Sequence, residues 1–413
     1  MELEPRCREK ILLLLKKGVD IPNPVSIHIG RDVDAKKISG DGVRIDPGCR
    51  IHGAETSIGP GARLGREAPV TVENCQLGRG VELKGGYARE STFLREASMG
   101  LGAQVREGCL LEEQASGAHC VGLKQTILFP FVTLGSLINF CDCFMAGGTS
   151  RRNHSEVGSS YIHFNFTPDG EKATPTLVGD VPRGVMLDQA PIFLGGQGGI
   201  VGPQRIAYGS VLAAGSILRR DVLEEKRLIV SPSPRGLNVG HAPRTYTGFR
   251  RILEKNLLYI ANLTALEQWY EFVRRPFLER EELGSHLYAG ARKRLGMGKE
   301  ERLKRLGAMA EHMVEALGPG DRGNSASLEK LEFHERFDLV RDIFCGRDFS
   351  GLGGEHRDLL LEALAKAPPG GYIEAIQSLP RGAAAGGTRW LEQVVSDCCS
   401  KAAEILPSSR IFS

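Results

Sequence analysis

The 413-residue chain has little of several things. It has only two tryptophans, and aromatic residues make up 6% of it. Its 53 Lys+Arg against 50 Asp+Glu leave a net charge of +3. So balanced a chain lacks the basic excess of a dedicated nucleic-acid or membrane-surface binder. Long apolar runs are missing: the best near the start, 11–15, stops at Lys16 and Lys17. A membrane span needs about 20 apolar residues and a signal core about 7–15. The ten cysteines follow no zinc-finger spacing, the nearest approach being Cys141-Asp-Cys143, so they read as reduced, semi-buried small hydrophobes and no metal is expected. These absences point to a cytoplasmic protein with no nucleic-acid or membrane partner.

What is plentiful is glycine, 52 residues, well above the usual ~7%. No Gly-X-Y period appears, so tight, repeated turns remain the use for it. Residues 1–24 read as an N-terminal capping helix, REKILLLLKK, closed by Gly18 and then by Pro22 and Pro24. From 25 to 222 apolar residues recur every six positions: Ile45 and Ile51, Ile58 and Leu64, Leu77 and Leu83, then Met99, Val105 and Leu111, and Leu128, Leu134 and Phe140. The clearest run is Ile200, Ile206, Leu212 and Leu218. A period of six fits neither a helix nor an alternating strand. It fits a parallel β-helix of hexapeptide repeats, three units to a triangular turn, with the aliphatic residue of each unit inward. The register falters over 65–95 and 180–192, where loops or bulged coils are expected.

A linker is expected over 223–243, where Ser-Pro-Ser-Pro-Arg-Gly begins at Ser231. Residues 244–413 read as a helical domain. Phe249, Ile252, Leu253, Leu257, Ile260 and Leu263 form one apolar stripe, ended by Pro276, and Leu303, Leu306, Met309 and Met313 form another. Further helices are expected around 328–344, 358–366 and 390–406, with GAAAGG at 382–387 as a flexible hinge or loop. The one physical task visible for this domain is to cover unpaired strand groups at the open end of the coil.

Polar chemistry gathers in one run, from Gly147 to Lys172, which a stacked coil is expected to fold into one patch along an edge. His154 and His163 are candidates for a general base, since imidazole titrates near neutral pH. Arg151, Arg152 and Lys172 are candidates for holding phosphate, and Asn153 is grouped with them as substrate-binding. The plainer alternatives are a histidine that only hydrogen-bonds at a coil corner, an arginine pair on a solvated face or subunit contact, and Asn165 as a turn residue.

The string VGSSYIHFNFTPDGEK from Val157, then LVGD to Asp180, resembles the acetyltransferase half of the bifunctional bacterial N-acetylglucosamine-1-phosphate uridyltransferase/glucosamine-1-phosphate acetyltransferase family. The likeness resumes at LGGQGGIVGP from Leu194 and IAYGSVLAAGSILRRD from Ile206. It covers about residues 25–222 and implies that the coil is left-handed; with the helical stripes of the tail the expected fold is mainly β, a left-handed parallel β-helix followed by an all-α C-terminal domain. It also implies acetyl-CoA as co-substrate, a sugar phosphate or nucleotide sugar as acceptor, a place near UDP-N-acetylglucosamine biosynthesis, and a homotrimer with each site between two chains. Asn165 falls where the family's asparagine positions acceptor and acyl group, Phe166 replaces a tyrosine, and Lys172 matches a loop lysine. Ser159, Gly196 and Ala214 fall on the acetyl-CoA groove. The family's catalytic histidine falls near Asp142 here, and about twelve extra residues follow Asp180. The family's nucleotidyltransferase loop LxxGxGTRM is absent, and so is a P-loop. An acyl-CoA-dependent N-acetyltransferase is therefore the first expectation, with His154 or His163 as base and Asn165 or a backbone N–H on the oxyanion. The alternatives are a non-catalytic nucleotide-sugar-binding scaffold, or a partner subunit of a sugar nucleotidyltransferase.

Overall fold

A computed structural model describes residues 7–165, 167, 169–231, 236, 238, 240, 246, 248–317, 324–368 and 370–412. Most of the 223–243 linker from 232 onward, together with Phe166, lies outside the described residues. Between His28 and Ile229 the chain winds a parallel β-solenoid that matches a left-handed β-helix. Each turn adds a short strand to each of three sheets. Face I runs from Arg44–Ile45 to Leu228–Ile229, face II from His28–Ile29 to Ile217–Leu218, and face III from Ser57–Ile58 to Arg205–Ile206.

The period of six has a direct cause. Residues six apart occupy successive faces, and their equivalents one turn on pair in register: Leu64 with Leu83 on face I, Ile51 with Val72 on face II, Ile58 with Leu77 on face III. All six are buried along the axis. The faltering register over 65–95 is not a break. Longer strands, Val70–Glu73 and Gly86–Arg89, keep the stack continuous there. The departure over 181–191 is a real excursion, opening with the short helix α2, Val181–Gly184; α1, Arg8–Lys17, precedes the solenoid. Its Lys10 ammonium donates to the carbonyls of Gly30, Arg31 and Val33, and that of Lys17 to Ala35, closing the first turn.

The three faces differ in what they present outward. Faces I and II carry exposed Arg63, Gln104 and Asn139. Face III carries Leu110, Ile127, Phe144 and Leu177, one above another in register and all buried. The cover is helical. The C-terminal elements are α3 (Phe249–Trp269), α4 (Arg275–Leu278), α5 (Gly284–Glu315), α6 (Ser325–Glu335), α7 (Phe337–Cys345), α8 (Gly354–Ala365), α9 (Tyr372–Gln377) and α10 (Arg381–Ile405). Helix α5 is about 48 Å long at 1.5 Å per residue, comparable to the stack itself at ~4.8 Å per rung, and it packs on strands of face III.

The helical domain therefore lies along the side of the prism, against the expectation that it covers the open end. At that end Leu223, Leu228 and Val230 stay 61%, 71% and 69% exposed. Two further expectations are corrected. Pro276 does not end the first helix: a π-helical turn over Tyr270–Arg274 leads directly into α4, with the proline near its start. The GAAAGG segment is no hinge but the first turns of α10. A Cβ on Gly387 would lie 2.6 Å from Met186 and 3.0 Å from Leu360, so small residues there permit close helix packing.

The seam between the layers is polar at its core. Arg274, fully buried and stacked 3.6 Å over the Tyr372 ring, pairs with Glu113 at 2.5 Å. Tyr270 donates its hydroxyl to Glu112 at 2.5 Å. Lys255 pairs with Asp221 at 2.7 Å, and Arg302 with Asp142 at 2.6 Å. Desolvation raises the Glu112 carboxyl to about 7, with neighbouring Arg274 opposing the rise and Glu113 adding to it.

Two outcomes are expected. Phe144→Ala should destabilise the chain by about 3–5 kcal/mol, whereas Arg63→Ala on exposed face I should cost no more than about 0.5 kcal/mol, both read by denaturant unfolding. Glu112 retains a proton in the folded chain that the unfolded chain releases above the ordinary carboxylate range. Its stabilising contribution is full below that range and is lost as pH rises towards 7. In Glu112→Gln, stability measured between pH 5 and 7 should lose that fall.

Candidate functional site

The polar run from Gly147 to Lys172 does not form one patch. It travels around the prism, because 26 residues make more than one turn, and its members land on three different corners. At the corner between faces III and I, strands Gly148–Ser150 and Asn153–His154 form a small antiparallel hairpin with Arg151 and Arg152 at its tip. The Arg151 guanidinium folds back and donates to the carbonyls of Gln114 (3.0 Å) and Phe131 (3.1 Å) and to Thr133 Oγ1 (2.8 Å). It thus ties two earlier turns to the hairpin, and as placed it is not a free phosphate ligand. Arg152 and Asn153 are exposed, with Asn153 donating to Thr149 Oγ1. His154 is half-buried, its Nδ1 2.9 Å from the Arg151 carbonyl and its Nε2 3.7 Å from Glu156.

His163 lies within the coil. On strand Ile162–Phe164 the neighbours point out and His163 points in, 2% exposed, its Nε2 2.8 Å from Thr176 Oγ1 and its ring edge-on to Phe140. Desolvation lowers its pKa to about 4, with Asp142 opposing the shift and Arg302 reinforcing it. A buried, neutral imidazole of this kind cannot reach an exogenous amine, so the expectation of His163 as base is corrected: it took an inward-facing position for an outward one.

At the corner between faces I and II, Ser136, Ser159, Gly196 and Ala214 stand one above another, each two residues past the paired Leu134, Val157, Leu194 and Leu212. Here the sequence expectation brings residues together: Ser159, Gly196 and Ala214 form a single file. Ser159 Oγ accepts from the Ser136 N–H at 3.1 Å, and the Gly196 carbonyl accepts from Gly215. The turns approach so closely that a Cβ on Gly195 would lie 2.4 Å from the Ala214 nitrogen.

The corner between faces II and III carries Asn165 and the exposed Lys172, with Asp142 one turn earlier. Asp142 adopts a left-handed backbone (φ 58°), a conformation that Asp tolerates better than most residues. Its carboxylate receives Asn165 Nδ2 at 3.1 Å and Arg302 Nη2 at 2.6 Å. Face II therefore has the Ser159 file along one edge and Asn165 with Lys172 along the other, while His154 belongs to the third corner. Sequence reasoning missed Arg302, because nothing in local spacing says which rung α5 meets. The outward apolar file Leu110, Ile127, Phe144 and Leu177 was the available sign that face III would be covered.

No family model matches the chain. The stacked hexapeptide turns and the small-residue corner define the class: the chain resembles the hexapeptide-repeat acetyltransferases. The particular likeness is to the bifunctional protein GlmU. It is 28% identical to that of Thermotoga petrophila over 222 residues, 53% of this chain and 44% of that protein. It is 27% identical to that of Pelobacter propionicus over 210 residues, 51% of this chain and 40% of that protein. The chain thus spans less than half the length of these relatives. A solved structure of LpxA from Acinetobacter baumannii aligns over 67% of this chain and 95% of that one, at 14% identity and a TM-score of 0.16. Among the described residues no helix is long and apolar enough to cross a membrane.

The interior placement of His163 has a measurable consequence. Its stabilising contribution is present above the ordinary histidine range and is lost as pH falls towards 4. Its imidazole NMR signals should therefore stay those of the neutral ring from pH 8 down to about 5; titration near 6.5 would place the ring in water.

Proposed function

We propose that this chain is an acyl-CoA-dependent acyltransferase, with acetyl-CoA as co-substrate and an amino-sugar phosphate or nucleotide sugar as acceptor. The observation that carries the reading is the file of Ser136, Ser159, Gly196 and Ala214 at the corner of faces I and II. Side chains this small leave a shallow strip along the coil in which an extended pantetheine can lie. Across face II, Asn165 and Lys172 border the acceptor side, with Lys172 holding phosphate by a charge-assisted hydrogen bond; Arg152, at the corner of faces III and I, would join it only from a neighbouring copy.

The acceptor amine attacks the thioester carbonyl; the C–N bond forms, the C–S bond breaks and CoA leaves as its thiol. A base must take the amine proton. His154, half-buried at its corner, is the histidine suited to that, and it reaches face II only from a neighbouring copy, which fits three chains packed side by side. Faces I and II are the ones left open to such packing. Their later turns carry exposed Phe193, Val211 and Leu228 on face I, and Ile162, Phe164 and Ile217 on face II.

One observation favours a second reading, binding of a nucleotide sugar without catalysis. Asp142 stands where the resemblance implies the catalytic histidine, and it is buried against Arg302. The two readings separate in one experiment. Under the first, purified protein given acetyl-CoA and glucosamine-1-phosphate or a UDP-amino sugar releases free CoA, and His154→Ala slows that release by about 10²–10⁴-fold. Under the second, UDP-N-acetylglucosamine raises the melting temperature, CoA does not, and no thiol appears across the acceptor panel.

A further inference from the structure

Helix α5 contributes a side chain to the candidate site. Arg302 is 2% exposed, and its two terminal nitrogens reach different targets: Nη2 to Asp142 Oδ1 at 2.6 Å, and Nη1 to the Lys172 carbonyl at 3.2 Å. Asp142 is itself clamped, its N–H donating to the Lys124 carbonyl and its carbonyl accepting from Thr176. With the backbone fixed and Oδ1 held by the guanidinium, Oδ2 is left facing Asn165 Nδ2 at 3.1 Å. A carboxylate facing a guanidinium can only accept hydrogen bonds. The Asn165 amide must therefore turn its NH2 group towards Asp142 and its Oδ1 away. That oxygen has no hydrogen-bond partner among the described residues, and it lies at the edge of face II.

We propose that Arg302 is a positioning residue that, through Asp142, fixes the Asn165 amide with Oδ1 on the substrate side, so that the site selects an acceptor offering an N–H or O–H at that point. The proposal rests on the reading of face II as the acceptor side. It also changes the role that Asn165 carries by resemblance. An amide committed in this way receives a hydrogen bond from the attacking amine or an adjacent sugar hydroxyl, and it does not serve primarily as an oxyanion donor. The Lys172 carbonyl, held by the same guanidinium, ties the loop carrying the phosphate-binding lysine to the same helix.

The test uses the full chain with Arg302→Gln, Arg302→Lys, Asn165→Ala and the double variant Arg302→Gln/Asn165→Ala. Amide hydrogen exchange of peptides spanning 169–175, without ligand, should accelerate at least tenfold in Arg302→Gln and less in Arg302→Lys, while α10 peptides stay unchanged. The acceptor KM in CoA release, or the UDP-N-acetylglucosamine Kd if there is no turnover, should rise about tenfold in Arg302→Gln with the acetyl-CoA KM unaltered. Asn165→Ala should then add little to Arg302→Gln, because both remove the same oriented amide. Wild-type exchange over 169–175 in Arg302→Gln, or fully additive effects of the two substitutions, would overturn the proposal. If the wild type neither transfers acyl groups nor binds UDP-N-acetylglucosamine, the functional reading falls and the substrate side of this inference with it. The exchange data still decide whether Arg302 holds the loop, and Arg302→Lys guards against a variant that merely fails to fold.

Discussion

The structure depends on a mismatch among the three sides of a repeating coil. A hexapeptide turn dictates what points inward and says little about what points outward, so each face is free to diverge. Faces I and II carry charged or polar groups over most of their length, but the middle of face III turns Leu110, Ile127, Phe144 and Leu177 outward. Fully burying such a side chain is worth roughly 1.5–3 kcal/mol, so this stripe cannot be left to water. The helical domain is the answer to it, and the orientation of the two layers follows.

Apolar cover sets no register by itself. The buried polar pairs along the seam do: Lys255 with Asp221, Arg274 with Glu113, Arg302 with Asp142. Pairs of this kind add little net stability, because desolvation opposes their attraction, but breaking one partner leaves a buried charge and is strongly unfavourable. They penalise any sliding of α3 or α5 along the coil. One of them lies beneath Asn165, so the fold's alignment device and the candidate site share a residue.

Much of the architecture was legible. Ile200, Ile206, Leu212 and Leu218 state the coil's period outright, because the axis of a triangular stack is filled mostly by aliphatic side chains. The Ser159, Gly196 and Ala214 file was legible through the family resemblance, not through spacing, because the excursion after Asp180 hides that Ser159 and Gly196 occupy adjacent turns. The composition of a patch was not. Going from Arg151 to Lys172 along the sequence means going around corners, so nearness in the chain implied distance in space. His163 shows the same limit: Ile162 and Phe164 look like the buried residues of that strand, yet the histidine is the one facing inward. The seam partners belong to segments more than 150 residues apart for Arg302 and Asp142, and no local pattern encodes such a meeting.

Repeat proteins usually evolve by gaining or losing whole repeats, since each unit contacts only its neighbours. The helix laid along this coil removes that freedom. One rung advances the stack by about 4.8 Å, whereas helical residues advance in steps of 1.5 Å and rotate as they do so. An inserted turn between Glu113 and Asp142 would therefore displace one seam pair relative to the other, and the connection from Arg274 through α4 to Arg302 in α5 would have to lengthen to match. Between Glu113 and Asp221 the number of turns is held by the chain's own tail, as the spacing of two marks on a ruler is held by the edge it is glued to.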